Sequence, residues 1–247
     1  MSKDNKIGVY NFVAEPFHVD FTGKLTMGVL GNHLLNCAGF HAADRGFGIA
    51  ELNENHYTWV LSRLAIELND MPRRYEPFSI ETWVESVYRL FTDRDFALVN
   101  KDGETIGYAR SVWAMMSMET RKPADLIALH GDALGDYVCD RECPIEKPGR
   151  IKVAQDEPVA DYVTKYSDID INGHVNSIKY IEHVLNLFPM ETFEKKHIRR
   201  FLLFCCNNLL FHILQVVLFY NNLLLFYLNG HSHIILILTL LSSLTLI

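Results

Sequence analysis

The period of hydrophobic and polar positions changes along the chain and predicts its elements. Over Met27–Arg45 apolar residues recur at every third or fourth position, which predicts an amphipathic helix with Thr26 as its N-cap. Over Tyr57–Met118 apolar and polar residues alternate in about four runs, which predicts antiparallel strands, the last two joined at the turn Lys101–Gly103. A further strand is predicted within Val9–Phe21. One central helix wrapped by a curled antiparallel sheet buries this pattern.

The predicted helix is unusually rich in small residues. We interpret them as the surface on which the helix lies close against the sheet. They are Gly28, Gly31, Ala38, Gly39, Ala42 and Ala43.

The pattern stops and then starts again in the second half of the chain. Glu119–Gln155 contains several prolines and has no sustained period, which is typical of a linker between domains. A strand is then predicted over Pro158–Lys165, followed by a polar turn and a helix over Asn176–Phe188, which Pro189 ends. Strand followed by helix is also how the chain begins, so the elements indicate two copies of one fold.

Charge and cysteine content narrow the class of protein. Thirty acidic and 23 basic residues give a net charge of −7, which argues against a nucleic-acid interface. The five cysteines are scattered and odd in number, which indicates a reducing compartment without a disulfide framework. The first twenty residues contain acidic side chains and no signal-peptide pattern, and we see no transit segment. We therefore expect a cytoplasmic protein.

The polar turn before the second helix carries the candidate chemistry. Asp170, Asn172 and His174 place a carboxylate, an amide and an imidazole at alternate positions, which in an extended segment face the same way. The N–H groups at the start of the helix would favour a developing oxyanion. The same residue types also build ordinary turns and helix caps, so from the residues alone both interpretations stay open. We assign Asp168 to shaping the turn.

Two parts of the sequence resemble one known family. Ser167–Ile181, SDIDINGHVNSIKYI, is similar to the active-site segment of acyl-acyl carrier protein thioesterases. Trp59–Arg63, Glu81–Val84 and Ser111–Met116, followed by TRKP at 120–123, resemble strands of the N-terminal domain of that family, in the same order and spacing. The resemblance covers about residues 8–200.

This resemblance implies an α+β fold of two tandem hotdog domains, each a curled antiparallel sheet around a central helix. Residues 1–123 would form the N-terminal, acyl-pocket domain, 124–155 the linker, and 156–201 the start of the C-terminal, catalytic domain. Asp170, Asn172 and His174 match the catalytic residues of the family. The family also uses a Glu on a later strand, and no acidic residue follows Phe201 to match it. We therefore expect the second hotdog to be incomplete.

The last part of the chain, 202–247, has no Asp, Glu, Lys or Arg. Leu209–Leu228 is mostly apolar and about as long as a bilayer is thick, so a membrane anchor is one interpretation. The other is an aberrant C-terminus, such as a frameshifted reading, that replaces the rest of the second domain. We favour the second interpretation because the resemblance and the charge stop at the same place.

The resemblance implies hydrolysis of the thioester bond of fatty acyl-acyl carrier protein, which releases free fatty acid and ends chain extension. Acyl carrier protein is then the partner, and no metal or redox cofactor is needed. Exposed basic pairs could attract this acidic carrier, although solvated surface is the simpler interpretation: Arg73 with Arg74, and Arg121 with Lys122. The alternatives are a hotdog thioesterase acting on acyl-coenzyme A, and a truncated hotdog that binds acyl groups without turnover.

Other residues that chemistry could use have simpler interpretations. We expect His33 and His41 to be packing or surface residues, and Cys139 and Cys143 to be linker residues rather than metal ligands. The tryptophans and the methionines of one strand could line an acyl pocket or fill the core: Trp59, Trp83, Trp113, Met115, Met116 and Met118.

Overall fold

The structure is a computed structural model that describes residues 6–149, 158–170, 175–206, 212–219, 222–229 and 233–240. The elements in these ranges are β1 Gly8–Val13, α1 Met27–Ala43, α2 Ile49–Glu54, β2 Tyr57–Leu68, β3 Pro77–Val87, β4 Thr92–Val99, β5 Thr105–Ser117, α3 Leu126–His130, β6 Pro158–Val163, α4 Ser177–Leu185, α5 Met190–Lys195, β7 Ile198–Cys206, β8 His212–Phe219, β9 Asn222–Asn229 and β10 His233–Leu240. The α+β architecture and the order of elements in the first half agree with the sequence analysis.

The predicted boundaries hold where the period is strong. Thr26 caps α1, since its Oγ1 accepts a hydrogen bond from the Val29 N–H at 3.3 Å. The hairpin between β4 and β5 turns at Gly103, whose φ of 81° suits glycine. The predicted strand Val9–Phe21 is wrong in its second part, because β1 ends at Val13 and the chain turns at Glu15, whose carbonyl accepts from the His18 N–H at 2.9 Å.

All ten strands join one antiparallel sheet in the order β1-β3-β4-β5-β2-β7-β8-β9-β10-β6. The two halves meet where β2 pairs with β7, with Ile66 opposite Phe201. Both helices of the halves pack into one apolar core, which includes Leu34 of α1, Ile181 of α4 and Phe201 of β7. The predicted pair of strand-helix units is therefore present, and the two units share a continuous interior.

The second half does not repeat the strand order of the first. In the first half β2 pairs with β5, the last strand, whereas in the second half β7 pairs with β8, the next strand. The strands from β7 to β10 are consecutive neighbours, and β6 closes the far edge beside β10. Among the described residues each half contributes five strands, but those of the second half do not take the order of the first, so the second hotdog is incomplete.

Two of the small residues of α1, Gly28 and Gly31, contact the second helix, which corrects our interpretation that these two face the sheet. A Cβ added at Gly31 would lie 2.7 Å from Ile178 Cδ1, and one added at Gly28 would lie 2.9 Å from Glu182 Cγ. The later residue of α1 contacts the earlier residue of α4, so the two helices are antiparallel. Glycine at these positions lets them pack closely.

The segment between the two halves covers the face of strands β3–β5 that points away from α1. The Trp83 indole N–H donates to the Arg141 carbonyl at 3.0 Å, and Arg110 Nη2 donates to the Cys143 carbonyl at 2.5 Å. Cys143 is buried beside Trp83 and Ala97, and Cys139 packs against the same cluster. The cysteines therefore serve packing here.

The described parts of the uncharged tail are strands, from the end of β7 to β10. In the described residues, no helix is long and apolar enough to cross a membrane. The choice between an anchor and an aberrant terminus stays a prediction.

Candidate functional site

The loop that carries the candidate residues begins at a buried carboxylate. Asp168 is 2% exposed, and its Oδ2 accepts a hydrogen bond from the Lys165 N–H at 2.7 Å. Its Oδ1 lies 3.1 Å from Nε2 of His183, which α4 brings back from fifteen positions further along the chain. Asp168 thus shapes the turn, as predicted, and it also ties the turn to the following helix.

His183 is held in the neutral form. Burial lowers its pKa, although the Asp168 carboxylate opposes this. Because Nε2 is hydrogen-bonded to a carboxylate, the neutral ring carries its proton there. The ring stacks on Tyr162 of β6 with their centroids 3.8 Å apart. Burial, together with Asp168, raises the pKa of Tyr162. The sequence analysis missed His183, and its position on the inner stripe of α4 was the only available signal.

Both ends of the loop are fixed by backbone contacts. Ile169 and Val175 form an antiparallel bridge, and the Asn176 N–H donates to the Asp168 carbonyl at 2.8 Å. Asn176 then caps α4, since its Oδ1 accepts from the Ile178 N–H at 3.0 Å. The bridge and these two hydrogen bonds therefore form a closed frame at the start of the helix.

Of the predicted site residues, Asp170 lies in this frame and is half-buried. Asn172 and His174 lie outside the described residues, so their convergence on one pocket stays a prediction. Among the described residues, no group of three or more His, Cys, Asp or Glu side chains is placed to hold a metal ion.

The first half contains a described loop of the same design. Val19 and Leu25 form the same kind of bridge, and the Thr26 N–H donates to the His18 carbonyl at 3.0 Å. Asp20 Oδ1 accepts from the Thr22 N–H at 2.8 Å and from its hydroxyl at 2.6 Å. Gly23 has a φ of 77°. The two loops thus share their closing contacts and the cap at the start of the next helix.

This correspondence aligns the two loops residue by residue, which the sequence analysis saw only at the level of whole elements. The spacing of Asp and Gly is the same in both, at Asp20 and Gly23 and at Asp170 and Gly173. The first loop has Thr22 where the second has Asn172, and Lys24 where the second has His174. The amide and imidazole therefore distinguish the second loop from its copy.

A cavity of about 90 Å³ lies between α1 and the strands of the first half. Its walls include Leu35 and Ala38 of α1 and the indoles of Trp59 and Trp113. Gly31, which contacts Ile178 near the start of α4, lies one helical turn before Leu35 of the cavity wall. The other candidates pack elsewhere: Trp83 and Met115 are fully buried in separate clusters, and Met118 is 45% exposed.

Both halves match one family. Residues 10–128 match the acyl-ACP thioesterase N-terminal domain and residues 151–204 match the acyl-ACP thioesterase C-terminal domain. The chain is similar to oleoyl-acyl carrier protein thioesterase 1, a chloroplastic protein of Arabidopsis thaliana, with 31% identity over 199 residues, 73% of this chain and 54% of that protein. The chain spans about half the length of the curated relatives that it matches.

Solved structures support the same fold. An acyl-ACP thioesterase from Bacteroides thetaiotaomicron is 60% identical, with a TM-score of 0.82, and the match covers 97% of this chain and 100% of that chain. The 12:0-ACP thioesterase from Umbellularia californica has a TM-score of 0.74 at 19% identity, covering 95% of this chain and 98% of that chain. The predicted tandem hotdog fold is confirmed.

Proposed function

This chain belongs to the acyl-ACP thioesterase family, and we propose that it hydrolyses the thioester bond of fatty acyl-acyl carrier protein to release free fatty acid. One observation carries the proposal. Two loops share one frame, and only the loop in the second half has the amide and the imidazole beside the carboxylate: Asp170, Asn172 and His174.

Thioester hydrolysis needs a positioned water, a base and donors for the oxyanion. In our proposal His174 or a carboxylate takes the proton from water, Asn172 fixes the water or the thioester carbonyl, and Asp170 orients both. The hydrogen bonds at the start of α4 limit which backbone N–H groups are free to donate to the oxyanion. The Ile178 N–H is already bonded to the Asn176 side chain and the Asn176 N–H to Asp168. Among the described residues, the Ser177 N–H is the one at this helix start to which no acceptor is assigned.

We propose that the acyl chain enters the cavity beside α1. Its wall includes Leu35, one helical turn beyond the Gly31 that contacts α4, and consists mainly of aliphatic and aromatic side chains. An alkyl chain gains free energy from such burial at about 25 cal/mol per Å². The carbonyl would then stay at the second loop while the chain lies within the first half.

The decisive experiment compares matched changes in the two loops. Asn172→Ala, His174→Ala and Asp170→Ala should each lower the rate of fatty acid release from lauroyl-acyl carrier protein by more than about tenfold. Thr22→Ala, Lys24→Ala and Asp20→Ala change the equivalent positions of the first loop and should leave the rate within about threefold. Near-normal release by all three variants of the second loop would overturn the proposal.

A second candidate is an acyl-binding protein without turnover. The last acidic residue of the chain is Glu194, so the catalytic Glu that the resemblance implies has no counterpart after Phe201. A stable complex with lauroyl-acyl carrier protein and no released fatty acid would support this candidate. Hydrolysis of lauroyl-coenzyme A at a higher kcat/KM than the carrier-protein substrate would instead support an acyl-coenzyme A thioesterase.

We also propose acyl carrier protein as the partner and the cytoplasm as the location. The basic pairs Arg73–Arg74 and Arg121–Lys122 are exposed and would attract an acidic carrier. Cys37, Cys139 and Cys143 are free thiols, which suits a reducing compartment. If the carrier is steered by charge, kcat/KM should fall as salt is raised, whereas kcat should not. Cell fractionation checks the location.

A further inference from the structure

The apolar cavity beside α1 contains a buried cation. Arg94 of β4 is 8% exposed and lines the cavity. Among the described residues, no carboxylate lies within ion-pair distance of its guanidinium. Among the described residues of the cavity wall there is a second guanidinium, that of Arg45, and no Asp or Glu. A buried charge without an opposite charge is costly, so this arrangement needs an explanation.

Arg94 is fixed by its neighbours. Its Nη1 donates to Nδ1 of His41 at 2.9 Å and to Oγ1 of Thr82 at 3.3 Å. His41 is fully buried, and its Nε2 lies 3.2 Å from the Lys6 carbonyl, to which it donates. Thr82 Oγ1 in turn donates to the Asp95 carbonyl at 3.0 Å. Every contact on this side orients the guanidinium and none neutralises it.

The charge persists at neutral pH. Burial, together with Arg45, lowers the pKa of Arg94 to about 10, which still leaves the guanidinium protonated. Burial and the two arginines lower the pKa of His41 to about 3, so His41 stays neutral and accepts from Arg94. His41 is therefore an orienting residue rather than the simple packing residue that the sequence suggested.

We propose that the cavity binds a free fatty acid with its carboxylate on Arg94 and its alkyl chain against the aromatic and aliphatic walls. Guanidinium and carboxylate form strong bonds, and the carboxylate supplies the missing opposite charge. At about 30 Å³ for each water molecule, a cavity of about 90 Å³ has room for about three waters, or for a short alkyl segment next to the carboxylate. The ligand class is that of the product of the proposed reaction, bound with its carboxylate on Arg94.

The orientation separates this inference from acyl-chain binding alone. A substrate chain that enters from Leu35 brings a methyl end towards Arg94, and a methyl group gains nothing from a guanidinium. A free fatty acid gains a charge-assisted bond there. Chain binding alone therefore predicts equal affinity for a fatty acid and its methyl ester, and the proposal predicts a preference for the acid.

The test measures binding of decanoate and of methyl decanoate to the full chain by isothermal titration calorimetry, with folding checked by circular dichroism. Decanoate should bind at least about tenfold more tightly than its ester. Arg94→Gln should remove this preference, whereas Arg89→Gln, which changes an exposed arginine paired with Asp125, should not.

A second variant keeps the test valid if Arg94→Gln does not fold. Gly39 of α1 lines the cavity, and a Cβ there would meet no atom within 4 Å. Gly39→Leu should fill the cavity and abolish binding of both ligands while Arg94 stays intact. Equal affinity for acid and ester in the unchanged protein, or unchanged binding in Gly39→Leu, would overturn the inference. The test measures binding and not turnover. If the protein binds decanoate but hydrolyses no thioester, the proposed function is rejected and this inference still holds.

Discussion

In the first half of the molecule the chain leaves β2, crosses to the far side of the sheet and returns to it as β5, whereas in the second half it steps outward from β7 one strand at a time. The strands of the first half carry charged side chains that pair across the sheet, such as Asp95 opposite Arg110. The strands β8–β10 carry no Asp, Glu, Lys or Arg. Without a polar alternation, a strand order is weakly specified and short connections give neighbouring hairpins.

At the start of each half, by contrast, the two halves are alike. Both begin with a strand, a closed loop and a capped helix, and in both the N–H of the cap residue donates to the carbonyl eight positions earlier. The frame of the candidate site is therefore formed by the segment before β7. The altered strand order begins only after that segment.

The largest expected effect concerns the buried carboxyl group of Asp95 on β4, in the first half. Burial raises the pKa of Asp95 to about 7, although Arg110 opposes this. Since the folded state holds the proton more tightly than the unfolded state, the contribution of Asp95 to stability is complete below its ordinary pKa near 4 and is lost as the pH rises through about 7. Between about pH 5 and pH 8 the free energy of unfolding should fall by roughly 3 kcal/mol on this account.

Asp95→Asn should remove that pH dependence, since an amide does not titrate. Urea unfolding at several pH values measures it. Glu54→Gln changes a carboxylate in an exposed helix and serves as the control. A pH slope that survives in Asp95→Asn would contradict the assignment and place the titrating group elsewhere.

The next effect concerns the buried carboxylate that only the second loop has. Asp168→Ala leaves the Lys165 N–H and the His183 ring N–H without an acceptor, which should lower the free energy of unfolding by about 2–3 kcal/mol. Asp168→Asn keeps an acceptor and should lose less. The equivalent first-loop residue is His18, whose buried Nδ1 has no partner in the described part of the chain. His18→Ala should therefore cost less than Asp168→Ala, and equal losses would mean that the pair with His183 adds nothing.

These contacts also show which parts of the structure the sequence could predict. The bounds of α1 and of β2–β5 followed from period and turn residues, because local geometry dictates them. Asp168 and His183 were both visible, but their pairing depends on how α4 folds back on the loop. The strand order after β7 was out of reach, since the tail offers no alternation that selects partners.

The third effect tests the contact between the halves. Gly31→Val would push side-chain atoms into Ile178 and Ile181 of α4, and overpacking of this kind should cost about 2 kcal/mol. Gly39 lies on the same helix, and a Cβ there meets no atom within 4 Å. Gly39→Val should therefore be close to neutral. If thermal unfolding shows the same change in both variants, the two helices are not packed through Gly31.

The smallest effect compares the two helix caps. Thr26 Oγ1 accepts from the Val29 N–H at 3.3 Å, and Asn176 Oδ1 accepts from the Ile178 N–H at 3.0 Å. Replacing either residue with Ala should lower the free energy of unfolding by about 1 kcal/mol, and Asn176 should cost slightly more because its bond is shorter and Asn is the better cap.

The cap of α4 also lies next to the proposed chemistry. The Asn176 N–H closes the second loop on Asp168, and since Asn176→Ala keeps that N–H, the loop should stay closed. Fatty acid release by Asn176→Ala should then fall less than by Asn172→Ala, which removes an amide from the proposed chemistry. Equal losses of rate in the two variants, with equal unfolding free energies, would show that the cap amide matters as much as the loop amide and so contradict the specific role proposed for Asn172.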